Sequence, residues 1–249
     1  MHDVERLTWA CVSRAMQAID PDRWGWVIDA GLGRDDYYCE WATNLGYRSV
    51  AIEPDPTETA IRACETAQIP LIKAALSNQD GTATLYHAPT RDLRSLDGEL
   101  WGGMAAANEV ELVSLAYLTI RLEMMRITLL KLDIEGTEPE VLETLVDLPQ
   151  HLLPDVLCFE WGGEGTMAEG RGPWRMSHLR QVRRCFESLS LLGYAQGLLI
   201  GSGEGLIMRQ FTNQPAFLGG DNWGNAILTR AGIASAVLQE YALADEVTA

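Results

Sequence analysis

Three short stretches of this chain place glycines and carboxylates where ligands are bound and protons moved. Residues 27–33 read VIDAGLG, an apolar run carrying Asp29 that breaks into a turn at Gly31 and Gly33. Glu53 closes the next apolar run, about 20 positions on, where an acid can accept from ribose hydroxyls while the glycines let the backbone approach a ligand closely. The pattern points to a nucleotide-like ligand. Asp35 and Asp36, after Arg34, fall in the first turn of the following helix, where a dinucleotide would set its two phosphates. S-adenosylmethionine keeps the adenosine but carries no phosphate, and its sulfonium and ammonium suit an acidic loop in which Asp29 can pair with the amino acid tail.

The second stretch, LLKLDIEGTEPEVLETL (129–145), ends an apolar run at Asp133 and turns at Glu135 and Gly136; the third, DVLCFE (155–160), ends at Glu160. Asp133, Glu135 and Glu160 are the candidates for taking a proton from an acceptor, with His87 and His178 as lesser ones. Two other readings stay open: a divalent metal site made of the carboxylates, and helix capping by Glu135 and Glu138. No metal is assigned. Trp161, Trp174 and Tyr194 flank the glycine-rich segment 161–175 and are candidates for an apolar wall against a ring-shaped acceptor, with core packing as the alternative. His178 is placed beside them as an acceptor contact or a helix cap, and Arg171 and Arg175 are candidates to meet an anionic group on the acceptor.

The elements that must position these residues alternate. Apolar spacing predicts a helix over 4–19 with Leu7, Cys11, Ala15 and Ala18 inward, then a strand at 24–30, a helix to about residue 44, a strand at 48–53 and a helix at 58–67. Strands follow at 71–75, 82–87, 109–113, 127–132, 155–160, 194–200 and 225–229, with helices at 117–125, 138–146, 177–191 and 230–243. Residues 88–108 and 161–175 show no periodicity and read as irregular surface segments. With no repeat and no linker, residues 1–249 are expected to form one domain: a mostly parallel sheet, helices on both faces, and a ligand crevice at the carboxyl ends of the strands.

Charge narrows the partners. Nineteen Lys and Arg against thirty-five Asp and Glu leave a net charge of −16, which disfavours nucleic acid and anionic membrane as partners. A charged N-terminus and the lack of a long apolar run imply a soluble, cytoplasmic protein acting on a small molecule. The five scattered cysteines read as reduced and buried.

The motifs VIDAGLG, AIEPDP (51–56), KAALSNQDGTATLY (73–86), LLKLDIEGTEPEVL (129–142) and CFEW (158–161) together resemble the FkbM-type S-adenosylmethionine-dependent methyltransferases, in order over residues 26–161. The resemblance implies a class I methyltransferase (Rossmann-like) α/β fold with a seven-stranded sheet, its last strand antiparallel. It also implies O-methylation of a hydroxyl on a sugar or secondary-metabolite acceptor. Carried over, Asp29, Gly31 and Gly33 would line the methionine end of the cofactor, Glu53 the ribose, the Ala74-Ala75-Leu76 turn the adenine, and Asp133 the transferring methyl. Asp35 stands where family members usually have a third glycine. The competing readings are a nicotinamide-dependent oxidoreductase on a related doubly wound fold and a non-catalytic, metabolite-binding relative.

Overall fold

The computed structural model describes residues 3–33, 37–88, 93–100, 103–162, 176–202, 206–213 and 223–230. The most apolar runs form the centre of a sheet. Strand β1 (Trp26–Ala30) lies parallel to β8 (Ile127–Leu132), which is buried at every position, as a strand covered on both faces must be. Beyond β1 run β2 (Arg48–Ile52) and β3 (Leu71–Ile72), and beyond β8 runs β9 (Val156–Gly162), all parallel. Antiparallel strands complete this side: β12 (Trp223–Thr229) against β9, β10 (Gln196–Ser202) against β12, and β11 (Leu206–Thr212) on the outer edge.

The sheet therefore has eight strands of mixed direction, in the order β11-β10-β12-β9-β8-β1-β2-β3, where seven mostly parallel ones were expected. The added strand is β11. It is an edge strand paired on one side only, and its sequence LIMRQFT has too little apolar alternation to announce it. A second correction concerns a separate four-stranded sheet, β4-β7-β5-β6, of β4 (Ala75–Ser77), β7 (Ala105–Ser114), β5 (Gly81–His87) and β6 (Arg94–Ser95). The expected strand at 71–75 is split between the two sheets. Part of the supposedly irregular segment 88–108 is strand as well: residues 105–109 are exposed throughout and are held by backbone pairing with β5, so no apolar pattern marks them.

Side chains alternate across the sheet and feed two cores. Helix α1 (Asp3–Ile19) packs Cys11, Val12, Ala15 and Met16 on the face that carries Val27, Leu129, Cys158 and Ile227. Its buried stripe is rotated from the expected one: Cys11 and Ala15 are inward, Leu7 is marginal and Ala18 is exposed. Helix α2 (Tyr38–Asn44) shares that face, and α3 (Glu58–Ala67) packs against it, starting at Thr57, whose hydroxyl accepts from the Ala60 N–H at 3.1 Å. On the opposite face α4 (Leu115–Arg121), α5 (Glu138–Glu143) and α6 (Met176–Leu191) cover Ile28, Leu130, Leu157 and Leu228. All five cysteines are free and buried. Among the described residues no helix is long and apolar enough to cross a membrane. The expected helix at 230–243, Arg34, Asp35, Asp36, Arg171, Trp174, Arg175 and the side chain of His178 lie outside the described residues.

Candidate functional site

The parallel strands β2, β1 and β8 finish together, and their carboxyl ends open onto a cleft. Its floor is the turn after β1. Gly31 has φ +82°, and a Cβ there would sit 1.7 Å from the Asp133 carbonyl oxygen, so β8 can close against this turn only because the residue is glycine. Gly33 differs: nothing lies within 4 Å of where its Cβ would be, and the residue faces the cleft. Ile52, Leu76 and Leu85 make apolar walls, the last two supplied by the second sheet. Ala75 also lines the cleft, while Ala74 is buried beside it; Ala75 and Leu76 belong to strand β4 and not to a turn.

Glu53 follows β2 and points its carboxylate into the same space. Its Oε2 accepts from the Leu32 N–H at 3.0 Å and its Oε1 from the Asp55 N–H at 3.1 Å, which fixes the side chain and leaves further acceptor capacity toward the cleft. Burial raises its pKa, and those backbone donors pull partly against that rise. Arg94 is the cation of this wall. It is bound to Asp55, through Nε at 3.2 Å and through Nη1 to the carbonyl, so its charge is already matched.

Asp29 is placed behind the floor instead of in the cleft. Wholly buried, it accepts from the Cys39 N–H of α2 at 2.9 Å and pairs with Lys131, whose Nζ lies 3.6 Å from Asp29 Oδ1. Lys131 sits in the middle of β8, 3% exposed, and donates to the Gly31 carbonyl at 3.0 Å with Asp133 Oδ2 at 3.4 Å. Burial alone would pull this lysine down, but Asp133, Asp29 and Glu5 hold its pKa above the ordinary value, so it stays charged. Glu5, on α1, accepts from the Tyr38 hydroxyl at 2.7 Å and from Asn225 of β12 at 2.8 Å, and burial raises its pKa.

At the other side of the floor Asp133, Glu135 and Glu160 converge, each offering an oxygen within 4.8 Å of the others. Asp133 and Glu135 line the cleft. Burial, then the charges of Asp133, Glu135 and Glu138, drive Glu160 well above the ordinary carboxyl range, with a side-chain interaction with Asp133 adding to the rise. Acidic groups at such spacing are common without a metal ion, and spacing is all that points to one here. Glu135 occupies the left-handed region, φ +56°, a conformation that costs a non-glycine residue free energy and collects at functional turns. Neither Glu135 nor Glu138 caps α5, whose N-cap Thr137 makes no side-chain cap bond; Glu138 instead braces the turn before the helix, accepting from the Ile134 N–H at 2.8 Å and the Gly136 N–H at 3.0 Å, and burial pushes its pKa to about 7. Ser95 closes the turn from the second sheet, donating to the Glu135 carbonyl at 2.6 Å.

The aromatic wall is not assembled from the described residues. Trp161 is 4% exposed and packs in the core, and Tyr194 donates its hydroxyl to the Pro154 carbonyl at 2.6 Å, near the start of β9 and away from the cleft. His87 ends β5 beside Asp55, 3.8 Å from its carboxylate. Sequence reasoning passed over Lys131, Arg94 and Ser95. Only Lys131 left a readable signal, a lone charge within ITLLKL beside a strand with its own lone charge, Asp29.

Against known protein families, residues 28–183, more than half of the chain, match the methyltransferase FkbM domain. No individual curated protein matches the chain.

Proposed function

The chain belongs to the FkbM methyltransferase family, and on that premise we propose that it moves a methyl group from S-adenosylmethionine to a hydroxyl of a small acceptor, a sugar or a secondary metabolite. The observation that supports this reading is the charge of the cleft. Glu53, Asp133 and Glu135 line it, its arginine is matched by Asp55, and the chain as a whole carries −16. Such a surface attracts a cationic ligand and repels a pyrophosphate, which favours a sulfonium cofactor over a nicotinamide dinucleotide.

The residues fit that group. Glu53, held by two backbone N–H groups, would accept from the ribose hydroxyls, and Ile52, Leu76 and Leu85 offer apolar faces to a flat ring. Gly33 leaves room for close approach. When bound, S-adenosylmethionine supplies a methyl already activated by its sulfonium, so positioning does most of what is asked of the protein. What remains is the acceptor's proton. Asp133 is the group for it: its side chain is 36% exposed, it faces the cleft, and its neighbour Glu160 carries a proton that the pair can redistribute. Five free, buried cysteines suit a reducing compartment, so the cytoplasm is the proposed location.

Calorimetric titration with S-adenosylmethionine and S-adenosylhomocysteine tests the reading, with NADH as the competing ligand. Heat with the two adenosyl compounds and none with NADH is expected. No heat with either at millimolar concentration, or tight binding of NADH, overturns it.

A further inference from the structure

We propose that Lys131 is a positioning residue of this site: its buried ammonium clamps the Gly31 turn and the Asp133 carboxylate into the one arrangement that receives the cofactor. The inference rests on reading the cleft as an S-adenosylmethionine site and assigns the lysine a role within it. The sequence holds two lysines, Lys73 and Lys131, and one of them is spent in the middle of the most buried strand. A charge there is costly unless every donor is used. Two of its donors are hydrogen-bonded, and the third side faces a carboxylate at ion-pair distance. The ammonium donates to the Gly31 carbonyl at 3.0 Å, faces Asp133 Oδ2 at 3.4 Å on its own strand, and faces Asp29 Oδ1 at 3.6 Å across the register pair of β1 and β8. The Tyr38 ring of α2 covers it, 5.4 Å from ring centre to nitrogen.

Through Asp29 the clamp also reaches the first turn of α2, where the Cys39 N–H is held, so three elements meet at one nitrogen. Stability does not require such a device, because an apolar residue of similar length with a neutral partner generally serves a core at least as well as a buried ion pair. What the ammonium adds is control over Asp133. Around that carboxylate stand Glu135 and Glu138 from the turn and α5, Glu160 from β9, Asp29 from β1 and Glu5 from α1. Cys158 of β9 is neutral and buried there too, so Lys131 is the cation that offsets this crowd.

The first experiment uses the intact wild-type protein labelled with ¹⁵N at the lysine side chains. Its two signals separate a slowly exchanging Lys131 from the exposed Lys73, which serves as the internal reference. Saturation with S-adenosylhomocysteine is expected to move the Lys131 signal and leave Lys73 in place. The second uses the double variant Asp29→Asn/Lys131→Met, which removes both charges together and so leaves no uncompensated ion. Its affinity for S-adenosylhomocysteine is expected to fall about tenfold or more, and in an Asp133→Asn background, where the clamped carboxylate is already gone, the same double change should cost clearly less. If wild-type protein takes up no S-adenosylhomocysteine, the cofactor reading and the clamp fall together. If it does, an unmoved Lys131 signal, or a folded double variant with wild-type affinity, overturns the clamp alone.

Discussion

At the amino ends of β1, β8 and β9 the buried Asp20 accepts from the Trp24 N–H at 3.1 Å, the Gly25 N–H at 2.9 Å and the Thr128 hydroxyl at 2.6 Å, and pairs with Arg126 at 3.1 Å. Burial would raise its pKa, but those donors together hold it below the ordinary value. Around the carboxyl ends of the sheet's parallel strands the acids Glu53, Glu138 and Glu160 are all held above theirs, with burial as the leading cause. One sheet thus buries the same functional group in opposite ways. Where four donors fill the carboxylate, the acid ties the approach to β1 to β8. Where acids crowd one another around an open cleft, the arrangement is costly, and such cost concentrates at sites that bind and react.

The contrast breaks first at its hinge, Gly31. Replacing it with alanine sets a methyl 1.7 Å from a backbone oxygen at a φ of +82°, and no side-chain rotation relieves a clash with backbone. Gly31→Ala is expected to cost more than about 5 kcal/mol in urea unfolding. Gly33→Ala, with open space around the new methyl, should unfold within about 1 kcal/mol of wild type and yet weaken S-adenosylhomocysteine binding. Equal costs at the two positions would mean that the turn does not close on β8 as described.

At the amino end the largest effect belongs to Asp20→Ala. It strands the buried Gly25 N–H, the half-buried Trp24 N–H and the Thr128 hydroxyl, and leaves Arg126 with Asp155 at 2.7 Å as its carboxylate partner and the Ile19 carbonyl at 3.0 Å. A loss of about 4 kcal/mol is expected, with S-adenosylhomocysteine affinity unchanged. Lost affinity in a folded variant would show that the two ends are not independent.

Much of this was legible from residue patterns, and the exceptions have physical causes. The run ITLLKL becomes β8 and 58–67 becomes α3 at the expected boundaries, because both carry strong apolar periodicity and sharp stops. Gly31, Gly33, Glu53, Asp133 and Glu135 were expected around one crevice and do line one cleft. Trp161 reads as a substrate residue because glycines follow it. Strand alternation instead puts it on the face of Leu157 and Phe159, which is core. Asp29 stands in the motif like a ligand residue, yet its position inside β1 turns it toward Lys131 and α2. In the second sheet, β5 and the inner half of β7 were expected as strands, while β6, the outer half of β7 and the separation into a sheet of its own were not, since its exposed strands are specified by backbone pairing more than by side-chain pattern.

The two ends should also separate on the pH axis. Glu138 titrates near 7 in the folded chain against 4.5 as its ordinary value, so the native state binds the extra proton between those values. Stability then falls as pH rises through that window, by on the order of 3 kcal/mol for the full shift. Asp20 has the opposite sign: its contribution is present above its ordinary value of 3.8 and is lost as pH falls through its lower folded value. Urea midpoints measured across pH should therefore decline on both sides, and Glu138→Gln should flatten only the upper limb. An unchanged upper limb would remove Glu138 as its source.

The smallest expected change is the most discriminating. If Glu160 keeps its proton in the folded protein, glutamine has nearly its shape, its neutrality and its ability to donate to Asp133. Glu160→Gln should then lie within about 1 kcal/mol of wild type near pH 4, where the acid is protonated folded and largely so unfolded, although a carboxyl has been removed. A carboxylate engaged as Asp20 is would lose several times that, and such a loss would erase the difference between the two ends. As pH rises above about 4.5, the ordinary value, the variants should part in a definite direction. Because the folded pKa is raised, wild type loses stability as the pH climbs toward it, while the glutamine variant has nothing at that position to ionise. A gap that widens in favour of Glu160→Gln identifies the acid as one held protonated against its charge, available to exchange its proton with Asp133 at the cleft.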